Sequence, residues 1–96
     1  MPVGVPNFYV TSTTATNVGL AWSEPQGPSD SFRIQISTDD DSYNRAVEVD
    51  PLQDLEYLVQ GLQPHTMYRF SIANIVNGRP SMESHAVATT NEGSKW

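Results

Sequence analysis

An all-β fold of two antiparallel sheets packed face to face is predicted for this 96-residue protein by three observations. Apolar residues recur at spacing two rather than three and four, so each segment turns one side to a core and the other to water. The segments are short and punctuated by turn-forming residues. The prolines fall between them, or at the opening of the first, where no hydrogen bond of a central ladder is lost.

The first segment is PNFYV, opened by Pro6 at an edge, with Phe8 and Val10 alternating. Val18, Leu20 and Trp22 alternate in NVGLAW, and EPQGPSD, with Pro25 and Pro28, turns the chain into SFRIQIS, where Phe32, Ile34 and Ile36 share a face. After the acidic run Asp39-Asp40-Asp41 come Val47 and Val49 in RAVEV, then a break at Pro51, then Tyr57 and Val59 in EYLVQ. Tyr68, Phe70 and Ile72 follow in MYRFSI, and a weaker HAVATT closes the series after NGRPS, which holds Pro80. No window of 11 or more residues carries a helical apolar stripe, and no internal repeat is present. The class is therefore an immunoglobulin-like β-sandwich of about seven antiparallel strands in two sheets.

The stretch QGLQPHTMY, residues 60–68, carries the crossing between sheets. A corner of this kind leaves main-chain groups in need of partners. Tyr68 meets that need if its ring joins the core while its hydroxyl reaches back to main chain a few residues upstream. Leu62 is expected to plug the end of the core, with Gly61 and Pro64 bending the chain. Trp22, Leu62 and Tyr68 are thus read as structural.

Trp22, the run Phe32-x-Ile34-x-Ile36, Leu62-x-Pro64-x-Thr66-x-Tyr68-x-Phe70-x-Ile72 and the closing Ala88-Thr89-Thr90 together resemble a fibronectin type III module, over about Pro6 to Thr90. Within that family, NVGLAWSEP followed by SFRIQIS is most similar to repeats in the ectodomains of receptor-type tyrosine phosphatases. The resemblance implies an extracellular stalk repeat, with the phosphatase chemistry in a distant domain that lies outside this sequence. Three positions depart from the family pattern: Phe32 where tyrosine is frequent, His65 where glycine is common, and Asn74 where a small apolar residue is usual. Asn74 matters most, because an inward amide needs hydrogen-bond partners or a place at the mouth of the core.

Composition removes several functions. Eleven acids against five bases give a net charge of −6, which repels phosphate backbones and anionic membrane surfaces. No apolar run approaches the roughly 20 residues of a membrane span, and MPVGVPNF lacks a signal-peptide pattern. With no cysteine there is no disulfide, thiolate nucleophile or cysteine-ligated metal. None of the six asparagines is followed by x-Ser or x-Thr. The Asp39–Asp41 run lacks the D-x-D-x-D-G spacing of a calcium loop and reads as a solvated turn. His65 and His85 make a sparse metal set, and no nucleophile elbow, P-loop or G-x-G-x-x-G occurs. No catalytic residue, metal or cofactor is expected, and the protein is read as non-enzymatic.

One loop attracts a contact reading. In Val76-Asn77-Gly78-Arg79-Pro80-Ser81 the Asn-Gly pair suits a tight hairpin. The resemblance implies that this loop can carry cell-adhesion contacts, so Asn77, Gly78 and Arg79 are candidate protein contacts; Asn-Gly-Arg is also a tripeptide whose asparagine can rearrange to isoaspartate. Successive antiparallel strands would put the termini at opposite ends. The expected organisation is an N-terminal joint over 1–5, the domain over 6–90, and a joint or appended tail over 91–96, with Trp96 available to pack on a neighbour. The leading reading is a non-catalytic extracellular repeat, part of a membrane-anchored or secreted protein, that spaces domains and makes protein or cell-adhesion contacts; alone it is expected to be monomeric. The alternative is a structural or spacer module in an intracellular array or beside a carbohydrate-active enzyme.

Overall fold

The computed structural model describes residues 2–51 and 55–93. Eight strands are found among them: β1 (Tyr9–Thr13), β2 (Val18–Ala21), β3 (Ser31–Ser37), β4 (Asn44–Val49), β5 (Glu56–Val59), β6 (Met67–Val76), β7 (Arg79–Pro80) and β8 (Ser84–Thr89). One sheet has the order β1-β2-β5; the other runs β4-β3-β6 and continues into β7 and β8, both paired to β6. Every pairing is antiparallel.

Period-two alternation sets the core. In β3 the inward Phe32, Ile34 and Ile36 are buried, and in β6 Tyr68, Phe70 and Ile72 join them in matching register. Val18 and Leu20 come from β2, Val59 from β5 and Val49 from β4. Each of these residues contributes about 1.5–3 kcal/mol by taking its side chain out of water. Trp22 lies one residue beyond β2, stays in line because its N–H donates to Leu55 O at 3.1 Å, and packs edge-on against Phe32 with ring centroids 5.7 Å apart.

Three details differ from the local reading. Pro6 lies ahead of the first strand rather than opening it, because Asn7 takes a left-handed φ of 57° that interrupts the extended backbone; β1 starts at Tyr9. Pro80, expected in a turn, sits in the two-residue β7, where an edge position needs no donor. Within the stretch expected as a joint, 1–5, Val5 belongs to the core cluster at 3% exposure.

A bulge in β1 shifts the register between Val10 and Ser12. Thr11 and Ser12 both turn their hydroxyls over Gly19 of β2, where a Cβ would lie 2.5 Å and 2.8 Å from them. The missing side chain at Gly19 is what lets the bulge close onto β2.

Candidate functional site

The two ends of the sandwich hold the polar residues singled out in the sequence. At one end the β5–β6 corner folds over the core. The Gln63 N–H donates to Tyr68 Oη at 2.8 Å, while the Tyr68 ring is 1% exposed and meets Tyr43 edge-on at 5.5 Å. Leu62 is buried beneath, its N–H bonded to Thr16 O at 2.9 Å in the β1–β2 turn. Thr90, also buried, donates its hydroxyl to Gln63 O at 2.6 Å and accepts from the Thr66 N–H at 3.0 Å. Asn91 completes the closure: its N–H donates to Thr14 O, and its carbonyl accepts from the His65 N–H, both at 3.0 Å.

His65 has φ 51°, in the left-handed region. That explains a preference for glycine at this position, since a β-carbon there is strained. His65 and His85 lie in different elements, and His65 is exposed while His85 is exposed in alternation along β8. Among the described residues no three His, Cys, Asp or Glu side groups are gathered to hold a metal.

The acidic run forms the β3–β4 turn at this same end. Asp40 Oδ1 accepts from the Thr38 hydroxyl at 2.9 Å and from the Ser42 N–H at 3.0 Å, and these bonds, that to the Ser42 main chain foremost, hold its carboxyl below its ordinary pKa of 3.8. Asp39 pairs with exposed Arg69. Asp39 and Asp40 are thus engaged at the turn.

At the opposite end the N-terminal segment enters, and three segments meet on Asn74 of β6. This side chain is fully buried, and its Nδ2 donates to Val3 O and to Pro28 O, both at 3.0 Å. Its N–H donates to Ser81 Oγ at 2.9 Å and its carbonyl accepts from the Ser81 N–H at 2.8 Å. Thus the inward amide expected to need partners finds them in the N-terminal segment and the β2–β3 loop. Asn74 Oδ1 and Trp22 Nε1 are buried without a partner among the described residues.

Above this clamp stands the β6–β7 hairpin. Asn77 and Gly78, with φ 53° and 76°, make a two-residue turn between Val76 and Arg79, the positive dihedrals of a type I′ connection. The Asn77 N–H donates to Asp30 Oδ2 at 2.7 Å. Asn77, Gly78 and Arg79 are all exposed, and Asn77 and Arg79 border a hollow of about 500 Å³ with Pro2, Val3, Pro28 and Val76. A larger hollow of about 580 Å³ lies over Gly19 of the three-stranded sheet, with Glu56 among its walls. The hairpin end offers the more specific chemistry: a cationic tip beside apolar surface. Trp22, Leu62 and Tyr68 stand apart from that tip, inside the core. Asp30 and Ser81 escaped notice in the sequence, since a lone acid or serine in a loop carries no local signal; Lys95 and Trp96 lie outside the described residues.

These features accord with the comparisons. A family model for the fibronectin type III domain matches residues 2–90. The tyrosine-protein phosphatase Lar of Drosophila melanogaster is 31% identical over 94 residues, covering 96% of this chain and 5% of that protein. Human receptor-type tyrosine-protein phosphatase eta is 38% identical over 71 residues, covering 74% of this chain and again 5% of the relative. The protein thus spans about one-twentieth of the length of the curated relatives it matches. In the crystal structure of the FN5 domain of Drosophila Lar the same fold recurs, with a TM-score of 0.79 at 22% identity over 97% of this chain and 100% of that one. From the matched core, the sealed corner and these relatives together, the chain belongs to the fibronectin type III domain family.

Proposed function

We propose that this domain is an extracellular repeat of a larger, receptor-type protein, where it spaces its neighbours and makes protein or cell-adhesion contacts through the hairpin tip Asn77-Gly78-Arg79. As a fibronectin type III domain it is a non-catalytic module. The observation that carries the spacing role is where the polypeptide enters and leaves. The N-terminal segment is bonded through Val3 O at the hairpin end, and Asn91 is bonded at the corner end. A module threaded this way extends a string of domains instead of folding it back. Its joints lie ahead of the Val3 bond and beyond Asn91, and its partners are neighbouring domains and a second protein met at the tip. Similarity to receptor-type phosphatases supports the extracellular placement. Among the described residues no helix is long and apolar enough to cross a membrane, so the proposed anchoring is assigned to other parts of a parent protein.

The contact role rests on exposure and charge. Arg79 is an exposed guanidinium in a protein of net charge −6, so it marks the hairpin end for an acidic partner group. Small-angle scattering from two copies joined in tandem tests the spacing role: an elongated particle supports it, and a side-by-side pair overturns it. Cell attachment to the immobilised domain tests the tip. Arg79→Ala is expected to lower attachment, and equal attachment by both proteins rejects the contact.

A further inference from the structure

We propose that Asn77 is a site of spontaneous main-chain rearrangement and that Asp30, from the β2–β3 loop, sets its rate. In this reaction the Gly78 nitrogen attacks Asn77 Cγ. A new N–Cγ bond forms as the Cγ–Nδ2 bond of Asn77 breaks, and ammonia leaves with the Gly78 amide proton. Water then opens the resulting five-membered imide at either carbonyl, to aspartate or to isoaspartate. Water is the only co-reactant, and nothing is oxidised or reduced.

Two properties of the hairpin act in opposite directions. Asn77 and Gly78 are exposed, and apart from its chain neighbours nothing lies within 4 Å of where a Gly78 Cβ would stand, so the turn has open space around it. Yet ring closure requires that nitrogen to swing round until it eclipses Asn77 Cβ. Asn77 must then leave the left-handed well it occupies at φ 53°, and the turn must open. The ladder that resists opening is short: β7 has two residues, and one of them, Pro80, has no N–H to give. Beyond it Ser81 exchanges two bonds with Asn74, and nearest the tip Asp30 supplies a further hold. Its Oδ2 accepts from the Asn77 N–H at 2.7 Å, a charge-assisted bond, while its own N–H donates to Ile75 O at 2.8 Å on the incoming strand. The carboxylate is therefore a latch on the residue that must rotate. Opening the latch leads to a product with one more negative charge two residues from Arg79 and, for isoaspartate, one more main-chain atom in a turn that closes with two residues. The inference stands on the hairpin's geometry and does not depend on whether the tip binds a partner.

The test is the rate of isoaspartate formation at residue 77 in the folded domain at neutral pH, followed by peptide-resolved mass spectrometry and isoaspartate-specific methylation. The wild type is compared with Asp30→Ala, Asp30→Asn, the core variant Val59→Ala and a free peptide of residues 73–82. The folded wild type is expected to react at least about tenfold more slowly than the peptide, and Asp30→Ala to recover about tenfold, the ratio that loss of one charge-assisted hydrogen bond allows. Asp30→Asn, which keeps an uncharged acceptor, falls between, and Val59→Ala, which weakens the fold elsewhere, matches the wild type. A wild type as fast as the peptide, Asp30→Ala as slow as the wild type, or Val59→Ala as fast as Asp30→Ala each overturns the proposal.

Discussion

At the corner end Tyr68, Thr90 and Asn91 satisfy main-chain groups that lie close by in space, through several separate bonds. At the hairpin end one buried amide, Asn74, bonds both the N-terminal segment and the β2–β3 loop, 71 and 46 residues away in the sequence, alongside the Ser84 hydroxyl on Val5 O and the bonds of Asp30 to Asn77 and Ile75, and one of the acceptors of Asn74 is left over. Exposed apolar residues occur at both ends, Val3 and Met82 at the hairpin end and Met67 at the corner, Met82 the most exposed at 75%. Sealing by many small bonds makes a rigid stop. Bonds that gather remote segments on Asn74 and Asp30 make an end that holds its segments in place while the Asn77-Gly78 tip stays exposed.

The largest expected effect tests the Asn74 tie. Asn74→Ala strips the donors from two carbonyls and is expected to cost about 2 kcal/mol in urea unfolding. Hydrogen exchange should quicken in the hairpin and near Val5 while the Gln63 amide keeps its protection; equal acceleration at Gln63 would show the two ends to be one cooperative unit. At the sealed end, Tyr68→Phe keeps the ring but leaves the Gln63 N–H unpaired, for about 1.5 kcal/mol. A smaller loss there than at Asn74 sharpens the contrast, and a larger one reverses it. His65→Gly should raise stability, by about 0.5–1 kcal/mol, by relieving the left-handed backbone; an unchanged unfolding midpoint would mean that the corner holds no strain.

The smallest effect appears on acidification. Asp40 has its folded pKa depressed below 3.8, so the support its bonds give is present above that ordinary value and is lost as the pH falls through the lower folded one. Asp40→Asn does not titrate. Its unfolding midpoint should therefore lie slightly below the wild type's near neutrality and fall less steeply below about pH 4, so that the two converge in acid. Parallel curves down to the lowest pH would remove Asp40 from the acid response of the corner end.

Much of this was legible in the residue order. Alternation marked the seven longer strands, and QGLQPHTMY marked the crossing between sheets. Asn74 stood out as an amide on an inward face, but its partners could not be read, because nothing local in VGV or QGP points to a residue so distant in the sequence. The same holds for Asp30 and Asn77, 47 residues apart. The bulge over Gly19 was hidden too: alternation continues on either side of it, and only the pairing of β1 with β2 shows the slip.

By itself the sequence determined which residues face inward and where the backbone turns, since those follow from the two-residue period of a strand and the dihedral limits of glycine, asparagine and proline. Tertiary structure alone decided that Val5 enters the core, that Asn74 closes the hairpin end and that Asp30 holds the Asn77 turn. Those outcomes depend on contacts between segments remote in the sequence, whose geometry exists only once both sheets have packed.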